Sequence, residues 1–254
     1  MSSQKPKYHT WIRRRRVALF GFVLLGLVVA SALLWSYWAI SLILLALAIP
    51  FAYIVYVLAY TYYQFSPIGN DYQSKIHDLI VNNIPPESGR LLDIGAGSGS
   101  LIIRTAKALP HIQATGIDSW ASSWDYSKQL CEENARIEGV ADRVSFLHAS
   151  ASRLPFDDSS FDVVVSCLTF HEVRDESDKT KVLQEALRVL KPGGEFVFID
   201  LFLDRNVFGD LAELTEKLGV SKVDTIKLEE LIELPRLLLS NRSLGNAVLM
   251  KGAK

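Results

Sequence analysis

The sequence predicts an α/β fold, a doubly wound and mostly parallel sheet, preceded by two transmembrane α-helices. Three observations carry this reading. From Arg90 onward short apolar runs alternate with stretches of helical spacing, a glycine-rich turn follows directly on the first of those runs, and the 44 residues Val17–Tyr60 contain no Asp, Glu, Lys, Arg or His. Alternation of this kind is the pattern of parallel strands covered by helices on both faces. An uncharged run of that length cannot be hidden inside a small water-soluble domain.

A helix of 44 residues would be roughly 66 Å long, about twice the ~30 Å hydrocarbon core of a bilayer, so two crossings are expected rather than one. The break falls at Trp35-Ser36-Tyr37-Trp38, whose amphipathic aromatics suit the headgroup level. Helix one is expected at Val17–Leu34 and helix two at Ala39–Tyr60, with Pro50 kinking the second. The basic cluster Arg13–Arg16 keeps the first flank cytoplasmic, and an even number of crossings returns the rest of the chain to that side, with Tyr60, Tyr62 and Tyr63 at the exit. The expected organisation is a basic cytoplasmic N-terminus (1–16), a transmembrane hairpin (17–60), a linker (61–70) and a globular domain (71–254). A cleaved signal peptide, which the basic residues and Ala30-Ser31-Ala32 imitate, is disfavoured because a second apolar span follows at once.

Charge narrows the partners. Six of the 27 Lys and Arg and none of the 28 Asp and Glu lie in residues 1–60, which leaves 21 bases against 28 acids, a net of −7, in 61–254. A domain this acidic lacks the basic face that phosphate-backbone binding requires, so no nucleic acid partner is expected. Cys131 and Cys167 lie 36 residues apart without a Cys-x-x-Cys pair, which argues against a disulfide scaffold and against a metal site.

After the breaker-rich Ser66–Asn70, helical spacing over Asp71–Asn83 puts Ile76, Leu79 and Ile80 on one side. Strands are expected at Arg90–Ile94, Gln113–Asp118, Val144–His148, Phe161–Cys167 and Glu195–Asp200, with helices near Gly99–Leu109, Trp124–Glu138 and Lys179–Leu190. In the tail, Val207–Leu218 has helical spacing, Val223–Ser240 mixes both signals, and Gly245–Lys251 suits a last strand.

The chemistry begins at Leu91-Leu92-Asp93-Ile94-Gly95-Ala96-Gly97-Ser98-Gly99, an apolar strand running into a glycine turn that opens a helix. Glycines there allow the backbone to approach a ligand closely. The spacing is Gly-x-Gly-x-Gly, with Ser100 where a dinucleotide fingerprint has its third Gly. The next strand ends in Asp118, whose carboxylate is placed to accept both hydroxyl protons of a ribose; a cap or turn role is the bland alternative. Two further segments follow, Leu154-Pro155-Phe156-Asp157-Asp158-Ser159-Ser160-Phe161-Asp162 and Leu190-Lys191-Pro192-Gly193-Gly194.

With these four motifs in order, Asp71–Asp204 resembles the class I S-adenosylmethionine-dependent methyltransferases, whose fold is Rossmann-like. The resemblance implies S-adenosyl-L-methionine as cofactor. It implies that Gly95, Ala96, Gly97 and Gly99 cradle the methionine and ribose portion with Asp93 supporting the loop, that Asp118 holds the ribose, and that Ser119 and Trp120 lie beside the adenine. Family members usually have an Asp-Ala pair before the LPF segment, the acid accepting from the adenine amino group; here Ser150-Ala151 stands in that place. Ser166 and Cys167 would border the transferred methyl group.

Methyl transfer from a sulfonium is an in-line displacement that needs positioning and desolvation, and a base only where the acceptor loses a proton. His171 is the candidate for that base, with Glu172 orienting it or acting in its stead; an ordinary structural hydrogen bond at His171 is the competing reading. The Asn/Asp-Pro-Pro-aromatic sequence with which family members methylate exocyclic amino groups is absent, which points away from nucleobases. A small-molecule or lipid-like acceptor is therefore expected. The rival functions are an NAD(P)-dependent oxidoreductase, which Ser100 and the LKPGG turn oppose, and a membrane-anchored cofactor-binding protein without catalysis.

Overall fold

The computed structural model describes residues 5–121, 124–220, 222–240 and 244–254. The chain forms two compact units, one of residues His9–Gln73 and one of Ser74–Lys254 joined by the residues that precede His9. The sequence reading had set residues 1–16 apart as a basic terminus; the first four lie outside the described residues, and Lys5–Tyr8 fold with the globular domain.

The smaller unit is a helical hairpin. α1 (Arg14–Leu33) and α2 (Trp38–Phe65) contain 20 and 28 residues, each long and apolar enough to cross a bilayer. Only 6% of the most apolar stretch of either helix is buried, unlike the core helix of a soluble protein. Leu34–Tyr37 joins them where the aromatic break was expected, and α2 continues through Pro50 to end later than the expected Tyr60. Between the helices the buried hydroxyls of Ser31 and Ser41 meet at 2.8 Å, a polar pair inside an apolar seam. Near the base, Arg14 Nη2 donates to the Tyr62 hydroxyl at 2.7 Å.

The larger unit is built on seven strands in the order β3-β2-β1-β4-β5-β7-β6. β1 (Arg90–Ile94), β2 (Gln113–Asp118), β3 (Val144–His148), β4 (Phe161–Cys167) and β5 (Leu190–Asp200) are parallel; β7 (Val248–Ala253) runs antiparallel between β5 and β6 (Lys222–Lys227). After α3 (Tyr72–Val81), the crossovers carry α4 (Ser100–Ala108), which packs on β2, α5 (Lys128–Ile137) on β3 and α6 (Lys179–Arg188) on β5. Because helices cover the central strands, their residues are apolar in continuous runs: Leu91, Leu92 and Ile94 of β1 and Phe196–Ile199 of β5 are all essentially inaccessible. Phe198 anchors this core, with Phe196 and Phe170 rings each 5.0 Å away.

The tail departs from expectation for local reasons. The single helix expected over Val207–Leu218 is split into α7 (Arg205–Phe208) and α8 (Leu211–Lys217), because Gly209 breaks the chain and Asp210 caps the next helix by accepting from Ala212 N at 3.0 Å. The mixed Val223–Ser240 stretch holds most of β6 and the short α9 (Leu228–Leu231). Similarly, α5 starts at Lys128 and not at Trp124, since Ser127 caps it by accepting from Leu130 N.

The strand order reverses between β1 and β4, so the carboxyl ends of these strands open a crevice at the switch point. Phe198→Ala is expected to lower the unfolding free energy of this unit by about 3–5 kcal/mol, read from urea titration of the detergent-solubilised chain. A loss below about 1 kcal/mol would mean that the core refills the cavity and that Phe198 does not anchor it.

Candidate functional site

At the end of β1 the chain turns sharply through Gly95, Gly97 and Gly99, with φ of +84°, +57° and +80°. A Cβ at Gly95 would collide with the Thr169 side chain, so the turn closes only with glycine there. Its amides face inward: Gly95 N and Ala96 N donate to Ile117 O (2.8 and 2.9 Å), Gly99 N to Ala96 O (2.7 Å) and Gly97 N to Asp118 Oδ2 (2.9 Å). Gly95, Gly97 and Gly99 thus add no side chain of their own to the turn, while these four amides hold it in shape.

Asp118, at the end of β2, accepts from Gly97 N and, through Oδ1, from Trp120 N at 2.7 Å. Burial pushes its pKa up, and the backbone bonds from Trp120, Gly97 and Ser119 work against that rise. A carboxylate has about four lone-pair directions, so an acceptor position remains beside these three bonds. Trp120 sits at φ +37° with its indole N–H on Gly97 O at 2.9 Å, so the ring lies against the glycine turn, 6.2 Å from the His148 ring. Ser119 lies between Asp118 and Trp120 at the same corner of the sheet.

Asp93 is 1% exposed, and neither carboxylate oxygen has a hydrogen-bond partner among the described residues. Burial and then the like charge of Asp118 push its pKa up to about 8. A buried acid without a partner is costly unless a cation or donor completes it.

The Ser150 position has a carboxylate after all. Asp175 Oδ2, from the loop after β4, accepts from both Ser150 Oγ and Ser152 Oγ at 2.6 Å, and these bonds hold its pKa below the usual carboxylate range. Ala151 is buried in the core beside it. Sequence reading missed Asp175 because the contact spans 25 residues and has no local pattern.

Ser166 and Cys167 turn out to support rather than line the crevice. Ser166 is fully buried and donates to Ile94 O at 2.9 Å, tying β4 to β1. Cys167 is buried as well, and burial followed by the charges of Asp93 and Asp200 pushes its thiol well above the ordinary range, so it is no nucleophile.

His171 lies in a single 3₁₀ turn, Phe170–Glu172, just beyond β4. Its Nδ1 is 2.6 Å from Oδ1 of Asp200, the last residue of β5, which is fully buried and also accepts from Phe170 N and Leu201 N at 2.7 Å. Asp200 was read in sequence only as a strand end. With Nδ1 held by this carboxylate, Nε2 is the nitrogen left to work, and Glu172 Oε1 stands 4.0 Å from it. Burial lowers the imidazole pKa, but the charge and hydrogen bond of Asp200, with Glu172, outweigh it and leave the pKa raised above 6.5.

These residues fit S-adenosyl-L-methionine: a turn with no Cβ in the way, an unpartnered buried carboxylate for a cationic ligand, and a second acid at the next strand end. Among the described residues no group of His, Cys, Asp and Glu is arranged to hold a metal ion. The fold is the Rossmann-like fold of class I S-adenosylmethionine-dependent methyltransferases. Residues 92–198 match the model of the family described as "Methyltransferase domain".

Among relatives, 27-O-demethylrifamycin SV methyltransferase of Amycolatopsis mediterranei is 34% identical over 160 residues, covering 62% of this chain and 56% of the relative. Demethylmenaquinone methyltransferase of Clavibacter sepedonicus is 36% identical over 134 residues, covering 52% and 49%. The chain thus spans about half the length of the curated relatives it matches. Geranyl diphosphate methyltransferase in complex with SAM superposes with a TM-score of 0.55 at 16% identity, over 71% of this chain and 84% of that one, which supports the fold.

Asp93 gives a prediction with a defined sign. Its carboxyl keeps a proton to higher pH in the native than in the unfolded chain, so native stability falls as pH rises from 3.8 towards about 8. Without cofactor, Asp93→Asn should therefore melt above the wild type at the upper end of that window while binding S-adenosyl-L-methionine more weakly. Equal melting points there would remove the buried charge from the account.

Proposed function

We propose that this chain is a membrane-anchored S-adenosylmethionine-dependent methyltransferase that acts on a small, lipophilic acceptor. The observation that carries the catalytic part is the His171 imidazole, fixed through Nδ1 by the buried Asp200 carboxylate at the carboxyl end of β4, the strand beside the glycine turn. When bound, S-adenosyl-L-methionine supplies an electrophilic methyl group on a sulfonium. His171 Nε2 accepts the proton that the acceptor gives up as its new bond to the methyl carbon forms and the sulfur–methyl bond breaks. Asp200 keeps the ring in one orientation and stabilises the imidazolium that results. Glu172 adds negative charge at the same nitrogen.

Two observations support the anchor. Both helices of the hairpin turn apolar side chains outward, among them Leu19, Phe22, Leu42, Ile43 and Ile49. Two helices of this length and composition give an even number of crossings, which would return the chain to the side it left. Arg13–Arg16 put that side in the cytoplasm. The relatives' names, a demethylrifamycin and a demethylmenaquinone methyltransferase, agree with a small organic acceptor.

The test uses the full chain in lipid nanodiscs with methyl-labelled S-adenosyl-L-methionine and a membrane lipid extract. Label should pass into the organic phase, and His171→Ala should slow transfer by roughly 10²–10⁴-fold while cofactor affinity holds. Cofactor binding without transfer to any lipid fraction would overturn the proposal.

The pH profile tests the dyad separately. A base must be neutral to act, so the rate should rise with pH through a midpoint above 6.5. Asp200→Asn withdraws the charge that raises this midpoint and should move it to lower pH, with a reduced plateau. A midpoint unmoved by Asp200→Asn would assign the titration to another group.

A further inference from the structure

α5 and the Glu138 that caps its C-terminus present Cys131, Asn134 and Glu138 along one side, at the three- and four-residue spacings of neighbouring helical positions. The first two reach the glycine turn. Cys131 Sγ donates to Gly97 O at 3.1 Å, and Asn134 Nδ2 donates to Ser98 O at 3.0 Å. Asn134 is 1% exposed, and its amide has a second set of partners. Its Oδ1 accepts from Lys7 N at 2.8 Å and its Nδ2 donates to Lys7 O at 3.0 Å. The side chain thus pairs with both main-chain groups of one residue, as an adjacent strand would. One turn further along α5, Glu138 accepts from the Tyr8 hydroxyl at 3.4 Å and also pairs with Lys107 of α4.

We propose that Asn134 is a positioning residue through which the segment preceding the first helix holds the glycine turn, making Lys7 and Tyr8 part of the cofactor cradle. This rests on the reading of that turn as the cofactor site. The physical reason is satisfaction of a buried amide. Without Lys7, the Asn134 oxygen would lose its donor in a place water does not reach, and the amide would be free to turn away from Ser98. The short basic segment therefore has a second role beside fixing topology, and sequence alone hides it, since the partners lie 127 residues apart.

The test compares three single variants of the full chain in nanodiscs. Lys7→Pro deletes the N–H that donates to Asn134 and also fixes φ at that position, Lys7→Ala keeps the N–H, and Asn134→Ala removes both sets of bonds. Two quantities are read: hydrogen exchange at the Gly97 and Gly99 amides without cofactor, and the dissociation constant for S-adenosyl-L-methionine. Lys7→Pro and Asn134→Ala should each speed exchange at the turn and weaken cofactor binding about tenfold. Combining Lys7→Pro with Asn134→Ala should bind S-adenosyl-L-methionine no more weakly than Asn134→Ala alone, and Lys7→Ala should behave as wild type.

The proposal is overturned if Lys7→Pro leaves exchange at the turn as in wild type, or if the variants lower the melting point without changing exchange or affinity. Should the wild type bind no S-adenosyl-L-methionine, the reading of the cofactor site fails on that ground alone. The exchange data then decide separately whether the segment holds the turn.

Discussion

Two carboxylates at neighbouring strand ends are the constraint around which this domain is arranged. Asp93 and Asp118 sit at the ends of β1 and β2, close enough for the charge of Asp118 to push the buried Asp93 carboxyl up. Asp118 is held by the Gly97 and Trp120 amides, and these bonds set the path of the glycine turn and the pose of the indole above it. Asp93 has no such partner. Burial with so little compensation makes the Asp93 carboxyl hold its proton to higher pH than an exposed acid would.

The remainder of the site follows from the parallel sheet. Strands that all run one way deliver their ends to a single edge, so β4 brings the His171 turn and β5 brings Asp200 to the crevice that the glycine turn borders. The bond from Phe170 N to Asp200 joins the last residue of β5 to the turn carrying the base, and the Phe170 ring packs on Phe198 behind it. Base geometry is therefore tied to core packing, and the imidazole has little freedom to be elsewhere.

The features legible in the sequence are those with local causes. All five parallel strands were expected within a few residues of where they lie, because each is a short apolar run bounded by breakers, and Gly95, Gly97, Gly99 and Asp118 were found by their order along the chain. What escaped was long-range. Asp200 looked like an ordinary strand end, Asp175 an ordinary loop acid and Asn134 an ordinary helix residue, and each acquires its role only from a partner 25 or more residues away. Ser166 was misjudged in the opposite sense. Alternation along a strand does not tell which face meets the crevice, and its hydroxyl is spent on Ile94 O. The tail was hard to read because α7 and α8 are divided by capping at Asp204 and Asp210, which outweighs the continuous apolar spacing.

Whether the site takes S-adenosyl-L-methionine is the central claim, and calorimetric titration of the full chain, in two buffers of different ionisation enthalpy, tests it most directly. The account predicts saturable binding accompanied by proton release near neutral pH, as Asp93 gives up its proton to pair with a cation, with the release fading above about pH 8. Absence of binding, or saturation by NADH in its place, would contradict it.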